Sequence, residues 1–273
     1  MEFWILGGDE RNRWAADYLQ GIGYEVHTFG VPDCGEEPLP FYMDQVVLPF
    51  PSFQGALLRG VSAIPIEEIL HRIDGDSTVF GGLIGAWAQA FDHRKARVFD
   101  LYSSEPLTTA NAVPTAEGAI CLAKEHSPIT LHGANCLVLG YGRVGKILSA
   151  KLKALSAHVT VALRKAADQA LAEALGLATD QICVYSGGLT QYDFVFNTVP
   201  AEVLTGKQLS HLRKDCVLLE LASAPGGFSR AQCEALGLTF CHAPGLPGKS
   251  APKTAGILYA QSILTLLQKE DSL

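Results

Sequence analysis

Gly140, Gly142 and Gly145 form a G-x-G-x-x-G pattern. It lies directly after the apolar run Cys136–Leu139 and opens a stretch with Val144, Ile147, Leu148, Leu152 and Leu155 on one helical face. Between a strand and a helix, each glycine has a separate task. Gly140 makes the tight turn, Gly142 lets backbone approach a pyrophosphate, and Gly145 lets the helix pack close to the strand. The helix start also offers unpaired N–H groups and the positive end of a dipole. The spacing therefore predicts a dinucleotide cradle made by the backbone from Gly140 through Tyr141, Gly142, Arg143 and Val144 to Gly145.

The choice of dinucleotide is read about 20 residues further on, at the end of the next strand. Here the run His158–Leu163 leads into Arg164-Lys165. An acid at this place would suit the ribose 2′-hydroxyl of NAD. Two cations suit a 2′-phosphate, with a planar fork from Arg164 and added charge from Lys165. NADP is therefore expected over NAD. Arg143 is a further candidate, for that phosphate or for the pyrophosphate. Asn197-Thr198-Val199-Pro200 closes the run Phe194–Phe196, and Ala222-Ser223-Ala224-Pro225-Gly226-Gly227 follows Val217–Leu219. Ligands of doubly wound sheets lie outside the carboxyl ends of the strands. The first turn is expected to face the ribose and nicotinamide, and the second to line the same crevice.

Two loops suggest an anionic substrate. One is Asn111-Ala-Val-Pro-Thr115-Ala-Glu117-Gly118, read as leading into a helix over Pro114–Lys124. The other runs from His242 to Gly256 through Lys249, Lys253 and Thr254, into a last helix over Ala255–Gln268. Amides, hydroxyls and a lysine at helix starts bind carboxylates. Asn111, Thr115, Ser223, Lys253 and Thr254 are the substrate-binding candidates. Asn111 and Thr115 also suit plain capping. Glu117, His242 and Lys253 are the catalytic candidates, and the proton acceptor is left open between Glu117 and His242.

Short apolar runs alternate with helical stretches along the whole chain. Strands are expected at Phe3–Leu6, Tyr24–Phe29, Gln45–Leu48, Thr78–Phe80 and Arg97–Leu101, with helices over Glu10–Gln20, Ile66–Ile73 and Ile84–His93. Val31–Pro40, rich in Pro, Gly and acid, reads as a surface loop. The second half repeats the alternation with strands at Cys136–Leu139, His158–Leu163, Phe194–Phe196, Val217–Leu219 and Leu238–Cys241. Such alternation predicts an α/β protein of two Rossmann-like, doubly wound parallel-sheet domains with an inter-domain cleft. The boundaries expected are 1–113 for a flavodoxin-like substrate domain and 114–254 for the NADP domain. By analogy of fold, the segment 255–273 is expected to pack back on the first domain.

The totals agree with a globular enzyme or regulator. The chain has 273 residues, 48% of them hydrophobic, and a formal charge of -7. An acidic balance without a dense Lys/Arg run argues against a nucleic-acid partner. Seven scattered cysteines with no C-x-x-C pair read as free thiols of a reducing compartment, and no metal is expected. The first residues lack a secretory pattern and no apolar run reaches ~20 residues, so neither a signal nor a membrane span is expected and the location expected is cytoplasmic.

Several motifs in order resemble the A subunit of dipicolinate synthases. They are Asn111–Gly118, Leu139–Gly145, Asn197–Pro200, Leu221–Gly227, Ala243–Gly248 and Ala251–Gly256, with looser similarity at Gly7-Gly8-Asp9 and Leu48-Pro49-Phe50-Pro51. PGLPGxxAPKTAG, here Pro244–Gly256, is far more specific than the glycine pattern. The resemblance implies NADP-dependent oxidation of dihydrodipicolinate, formed from 4-hydroxy-tetrahydrodipicolinate on a branch of the lysine pathway, to the dipicolinate of spores. It also implies a partner, a flavoprotein-like B subunit. A homo-oligomer is expected. The alternatives are another NAD(P)-dependent dehydrogenase of a small hydroxy or amino acid, or a non-catalytic NADP-binding subunit. The loop Cys34–Pro40 has no counterpart in the resemblance.

Overall fold

The computed structural model describes residues 1–35, 37–60 and 64–270. Glu36 of the expected surface loop and residues 271–273 of the expected last segment lie outside the described residues. The chain forms two compact units, residues 1–111 with 251–273, and residues 112–250.

In chain order the first unit holds β1 (Glu2–Leu6), α1 (Glu10–Gly21), β2 (Glu25–Phe29), β3 (Gln45–Val47), β4 (Phe53–Gln54), β5 (Leu57–Leu58), β6 (Ile64–Pro65), α2 (Ile66–Leu70), β7 (Thr78–Gly81), α3 (Ala88–His93) and β8 (Arg97–Asp100). Five strands pair in parallel in the order β2-β1-β3-β7-β8. Counted by appearance this is 2-1-3-4-5, the flavodoxin-like order. The strands are apolar on both faces because helices cover both. Phe3, Ile5, Val26, Val47 and Phe80 share one buried cluster with Ala15 and Leu19 of α1. Trp4, Leu6, Val46 and Val79 share the other with Ile66, Ile69 and Phe91. The short antiparallel strands β4, β5 and β6 form a small second sheet that the sequence pattern did not reveal.

α4 (Glu105–Glu125) carries the chain across residue 111 into the second unit. There follow β9 (Asn135–Leu139), α5 (Arg143–Ala154), β10 (His158–Leu163), α6 (Ala166–Ala174), β11 (Ala178–Gln181), β12 (Phe194–Asn197), α7 (Gly206–Leu209), β13 (Val217–Glu220), α8 (Arg230–Ala235), β14 (Thr239–His242) and α9 (Leu246–Ser250). Six parallel strands lie in the order β11-β10-β9-β12-β13-β14. By appearance this is 3-2-1-4-5-6, the dinucleotide-binding order. Cys136, Val138, Phe194 and Phe196 pack with Ala116, Ala119 and Leu148 on one face. Leu137, Leu139, Val195 and Leu218 pack with Tyr185, Leu209 and Cys233 on the other.

The chain returns to the first unit in α10 (Pro252–Glu270), whose Tyr259, Ala260 and Ile263 join the cluster of α1. α10 starts three residues earlier than its apolar pattern suggested, because proline fits the first helical position. The helix expected over 66–73 stops at Leu70, and that over 84–93 begins as a 3-10 turn at Gly85–Trp87. β11, with sequence ATDQ, has no apolar run to betray it. All seven cysteines are free thiols. No described helix is long and apolar enough to cross a membrane.

His27 of β2 joins three acids at one edge of the first sheet. Its Nδ1 lies 2.7 Å from Glu37, its Nε2 3.4 Å from Glu2 and 3.6 Å from Glu25, and its ring stacks on Trp4. Burial works to lower its pKa, but the Glu37 hydrogen bond and the charges of Glu37, Glu2 and Glu25 outweigh it, so the pKa is raised. The fold thus favours protonated His27. That stabilisation is fully present below the unfolded pKa of about 6.5 and is lost as pH rises through the higher folded value. His27→Gln should flatten this part of the stability profile, read as melting temperature across that pH window; identical profiles would show that the cluster contributes nothing.

Candidate functional site

The second sheet reverses its strand order between β9 and β12. A crevice opens at such a point because the flanking connections leave on opposite faces of the sheet. Gly140 ends β9 there, with φ +95°, a conformation that side chains other than glycine rarely adopt. A Cβ on Gly140 would lie 2.6 Å from Thr198 Oγ1, and one on Gly145 would lie 2.2 Å from the Gly140 carbonyl oxygen. The helix start therefore presses on the strand end with nothing between. Thr198 closes the crevice from the β12 side. Its N–H and its hydroxyl both donate to Leu139 O, at 2.9 and 2.8 Å.

Gly142 is different. A Cβ there would meet no protein atom within 4 Å. It is the N-cap of α5, with no side-chain oxygen to turn back on the first turn, and that turn contains no acid. Open space against the start of a helix fits a pyrophosphate. Tyr141 is buried beneath the loop, and Lys146 Nζ lies 5.4 Å from its ring centroid and 3.3 Å from Asp168 Oδ1. Burial raises the Tyr141 pKa against the opposing charge of Lys146. This chain of contacts ties the glycine loop to α6. Lys146 and Asp168 carry no recognisable motif, so the sequence offered no sign of the link.

Arg164 and Lys165 follow β10 at the same carboxyl edge, both exposed. Lys165 is the N-cap residue of α6. Neither has an ion-pair partner among the described residues. Two cations at the positive end of a helix repel one another and the dipole, which an anion there would relieve. The residues present therefore fit a dinucleotide.

Sequence reasoning missed Glu220. It ends β13, is 3% exposed, and accepts three hydrogen bonds. Asn197 Nδ2 donates to Oε1 at 2.6 Å, Ala222 N to Oε1 at 3.0 Å and Gly227 N to Oε2 at 2.7 Å. Burial raises its pKa, opposed by the Gly227, Asn197 and Ala222 hydrogen bonds and the charge of His242. Asn197 is fully buried, and its amide also binds Val199 O at 2.9 Å and Val199 N at 3.1 Å. Expected to face the cofactor, its side chain instead joins the turns after β12 and β13. Thr198, Val199 and Pro200, half-buried or exposed, are the parts of that turn open to a ligand, with exposed Ser223 on the next turn. The only sequence signal for Glu220 is an acid closing the apolar run Val217–Leu219.

The substrate-side residues need more revision. Asn111, Thr115 and Glu117 were expected on a loop and at a helix start, but all three lie inside α4. Pro114 does not start a helix there. An interior proline forfeits one backbone hydrogen bond, and burial of Ala112, Ala116, Ala119 and Ala123 holds the helix together across it. Glu117 lies far from a first turn, with Lys151 Nζ 2.7 Å from its Oε1. The expected loop 242–256 contains α9, whose Ser250 Oγ donates to Leu246 O at 2.7 Å and Pro114 O at 3.2 Å. His242 is exposed at the end of β14, in register with Glu220. Lys253 does lie in the first turn of α10, its ammonium 4.6 Å from the centroid of Trp14. Thr254 beside it is exposed.

The chain is 30% identical to the A subunit of dipicolinate synthase from Bacillus subtilis (strain 168) over 280 residues, covering 96% of this chain and 94% of that protein. It belongs to the family of dipicolinate synthase A subunits. A crystal structure of the A subunit from Bacillus halodurans matches with TM-score 0.89 and 28% identity, covering 97% of each chain. The crystal structure of the Bacillus subtilis counterpart matches with TM-score 0.86 and 28% identity, covering 100% of this chain and 97% of that one. A transhydrogenase from Sinorhizobium meliloti shares the fold, with TM-score 0.68 at 16% identity over 99% of this chain and 94% of its own. No family model matches the chain.

The glycines and the buried acid separate binding from stability. Gly142→Ala should destabilise the fold little, by the ~1 kcal/mol that alanine costs at an N-cap, read as a small drop in melting temperature, yet weaken dinucleotide binding at least ~10-fold in calorimetry. Gly145→Ala should lower both, because overpacking costs ~1–3 kcal/mol. Equal affinity of Gly142→Ala and wild type would remove the loop from the site. Glu220→Ala should destabilise by several kcal/mol in urea unfolding, since each orphaned buried donor costs about 1–3 kcal/mol.

Proposed function

We propose that this chain is an NADP-dependent oxidoreductase that converts dihydrodipicolinate to dipicolinate. The observation that carries the reading is the pair of cations, Arg164 and Lys165, with no ion-pair partner among the described residues, beside an open glycine cradle. The membership of the family supplies the substrate class. The substrate reaches the protein as 4-hydroxy-tetrahydrodipicolinate, which loses water to give the dihydro ring. The balance is then dihydrodipicolinate plus NADP⁺ giving dipicolinate, NADPH and one proton. When bound, the nicotinamide supplies a hydride acceptor.

The chain's own residues bind and orient. The amides at the start of α5 bind the pyrophosphate. Arg164 and Lys165 bind the 2′-phosphate, with Arg143 as a further phosphate contact. Thr198, Val199 and Pro200 border the ribose and nicotinamide, with Ala222 and Ser223 across the crevice. Glu220 and Asn197 position both turns from below and touch no ligand. Holding the ring against the nicotinamide supplies most of the acceleration, because aromatisation already drives the reaction. The proton passes to His242, since Glu117 is engaged by Lys151. Lys253 and Thr254 contribute a carboxylate contact, with Thr115 and Asn111 as further candidates. A flavoprotein-like B subunit is the proposed partner, in the formation of spore dipicolinate.

Purified chain, together with its partner, should reduce NADP when supplied with 4-hydroxy-tetrahydrodipicolinate and release a pyridine dicarboxylate, seen by NADPH absorbance and chromatography. The double variant Arg164→Ala, Lys165→Ala should weaken NADP by ~1.5–3 kcal/mol per lost charged hydrogen bond and leave NAD nearly unchanged. Equal losses for both dinucleotides would sink the assignment of the 2′-phosphate.

A further inference from the structure

The first unit has its own reversal of strand order, between β1 and β3. Open α/β sheets bind ligands outside the strand ends at such a point. Two arginines converge there, and both are anchored to the loops of both flanking strands. Arg11 of α1 forks onto Asp9, with Nε 2.9 Å from Oδ1 and Nη2 2.8 Å from Oδ2, after β1. The same Nη2 reaches Phe50 O at 2.5 Å, after β3. Arg59 is held by its backbone instead. Its N–H donates to Ser52 O at 3.0 Å on the β3 side, and its carbonyl accepts from Gly8 N at 2.6 Å on the β1 side.

The next residue shows how tight that seat is. A Cβ on Gly60 would lie 2.7 Å from Gly8 N and 2.9 Å from Gly7 Cα. Only glycine lets this turn close on the end of β1. The hairpin β4–β5 carries Arg59 there, directly after Leu58, and Leu58 is buried in the core of the unit. The loop after β3 is fastened in turn to the end of β7, because Ser52 N donates to Gly82 O at 2.8 Å. So three strand ends are knitted together around one exposed guanidinium.

The charges do not cancel. Two guanidiniums face one carboxylate, Asp9, which leaves a surplus of one positive charge. Burial opposes the Asp9 charge, yet the Arg11 hydrogen bond with the charges of Arg11 and Arg59 holds its pKa below the usual value. The Arg59 side chain has no hydrogen-bond or ion-pair partner among the described residues. Arg13, by contrast, is accommodated by the protein, 4.6 Å from the Trp14 ring centroid and 3.6 Å from both Glu10 Oε2 and Asp33 Oδ2. Asn12 adds a donor, since it is 2% exposed, packs against Gly8 and has no partner for its Nδ2.

We propose that Arg59, with Arg11 beside it, is a carboxylate-binding subsite in the crevice between β1 and β3, and that it takes one carboxylate of the pyridine-type dicarboxylate. This rests on the substrate class proposed above. Asp9 is a positioning residue that orients the Arg11 fork. The ligand carboxylate neutralises the surplus charge, and the planar fork of Arg59 favours two parallel hydrogen bonds.

The test uses the full chain together with its partner, and dipicolinate itself is the calorimetric probe. Arg59→Ala should weaken dipicolinate at least ~10-fold and raise KM for the substrate similarly, as loss of a charged hydrogen bond implies. Its NADP affinity and melting temperature should match wild type. Arg59→Lys should recover part of the loss, because it keeps the charge without the fork. Arg11→Lys should weaken dipicolinate as well, with its folding checked by the same melt. If wild type binds dipicolinate and both Arg59 variants bind it equally well, the subsite is wrong while the substrate reading stands. If wild type binds NADP but neither binds nor produces the dicarboxylate, both readings fall.

Discussion

The contact between Gly145 and the Gly140 carbonyl governs the second unit. A parallel strand can deliver its end to a helix start only if the turn is short and the helix lies almost on the strand. The absence of a Cβ at both positions makes that approach possible. Thr198 then bonds twice to the carbonyl before Gly140, so the neighbouring strand end is drawn into the same small volume. Everything assigned to the dinucleotide follows from this geometry. The start of α5 lies on the open side of Gly142, where a Cβ would meet no described protein atom within 4 Å, and the end of β10 places two cations along the same edge.

Such an opening needs stiff walls, and the wall opposite the glycines is built on a buried acid. Glu220 gathers donors from two different turns, which would otherwise carry unsatisfied amides into the interior. Its burial is costly to the charged form, and three hydrogen bonds return part of that cost. The network also explains why Asn197 lies under the crevice instead of lining it. A rigid underlayer of this kind holds in place the turns above it, which carry Thr198 to Pro200 and Ser223.

The first unit meets a similar problem with different residues. Its loops after β1, β3 and β7 are joined by backbone hydrogen bonds and by glycine approaches, with the Asp9–Arg11 fork at the centre. Here the charges are carried by side chains and not by a helix dipole alone. The two units thus share an architectural rule, a crevice where strand order reverses, while the chemistry presented there differs: backbone amides in one, guanidiniums in the other.

The apolar runs were enough to determine that the chain alternates strand and helix, because strands buried on both faces must be apolar throughout. The glycine pattern and the cations after β10 were legible for a similar reason. They act through backbone shape and formal charge within a few residues of each other. What the sequence did not reveal depended on distant partners. Pro114 looked like a helix start until the buried alanines on both sides held α4 continuous, which moved Asn111, Thr115 and Glu117 from a helix end to a helix interior. Arg59 and the Lys146–Asp168 link have no local signature at all, and Glu220 has only its place as an acid closing the apolar run Val217–Leu219. Their roles arise only when strands far apart in sequence end side by side, and tertiary structure alone decides which ends those are.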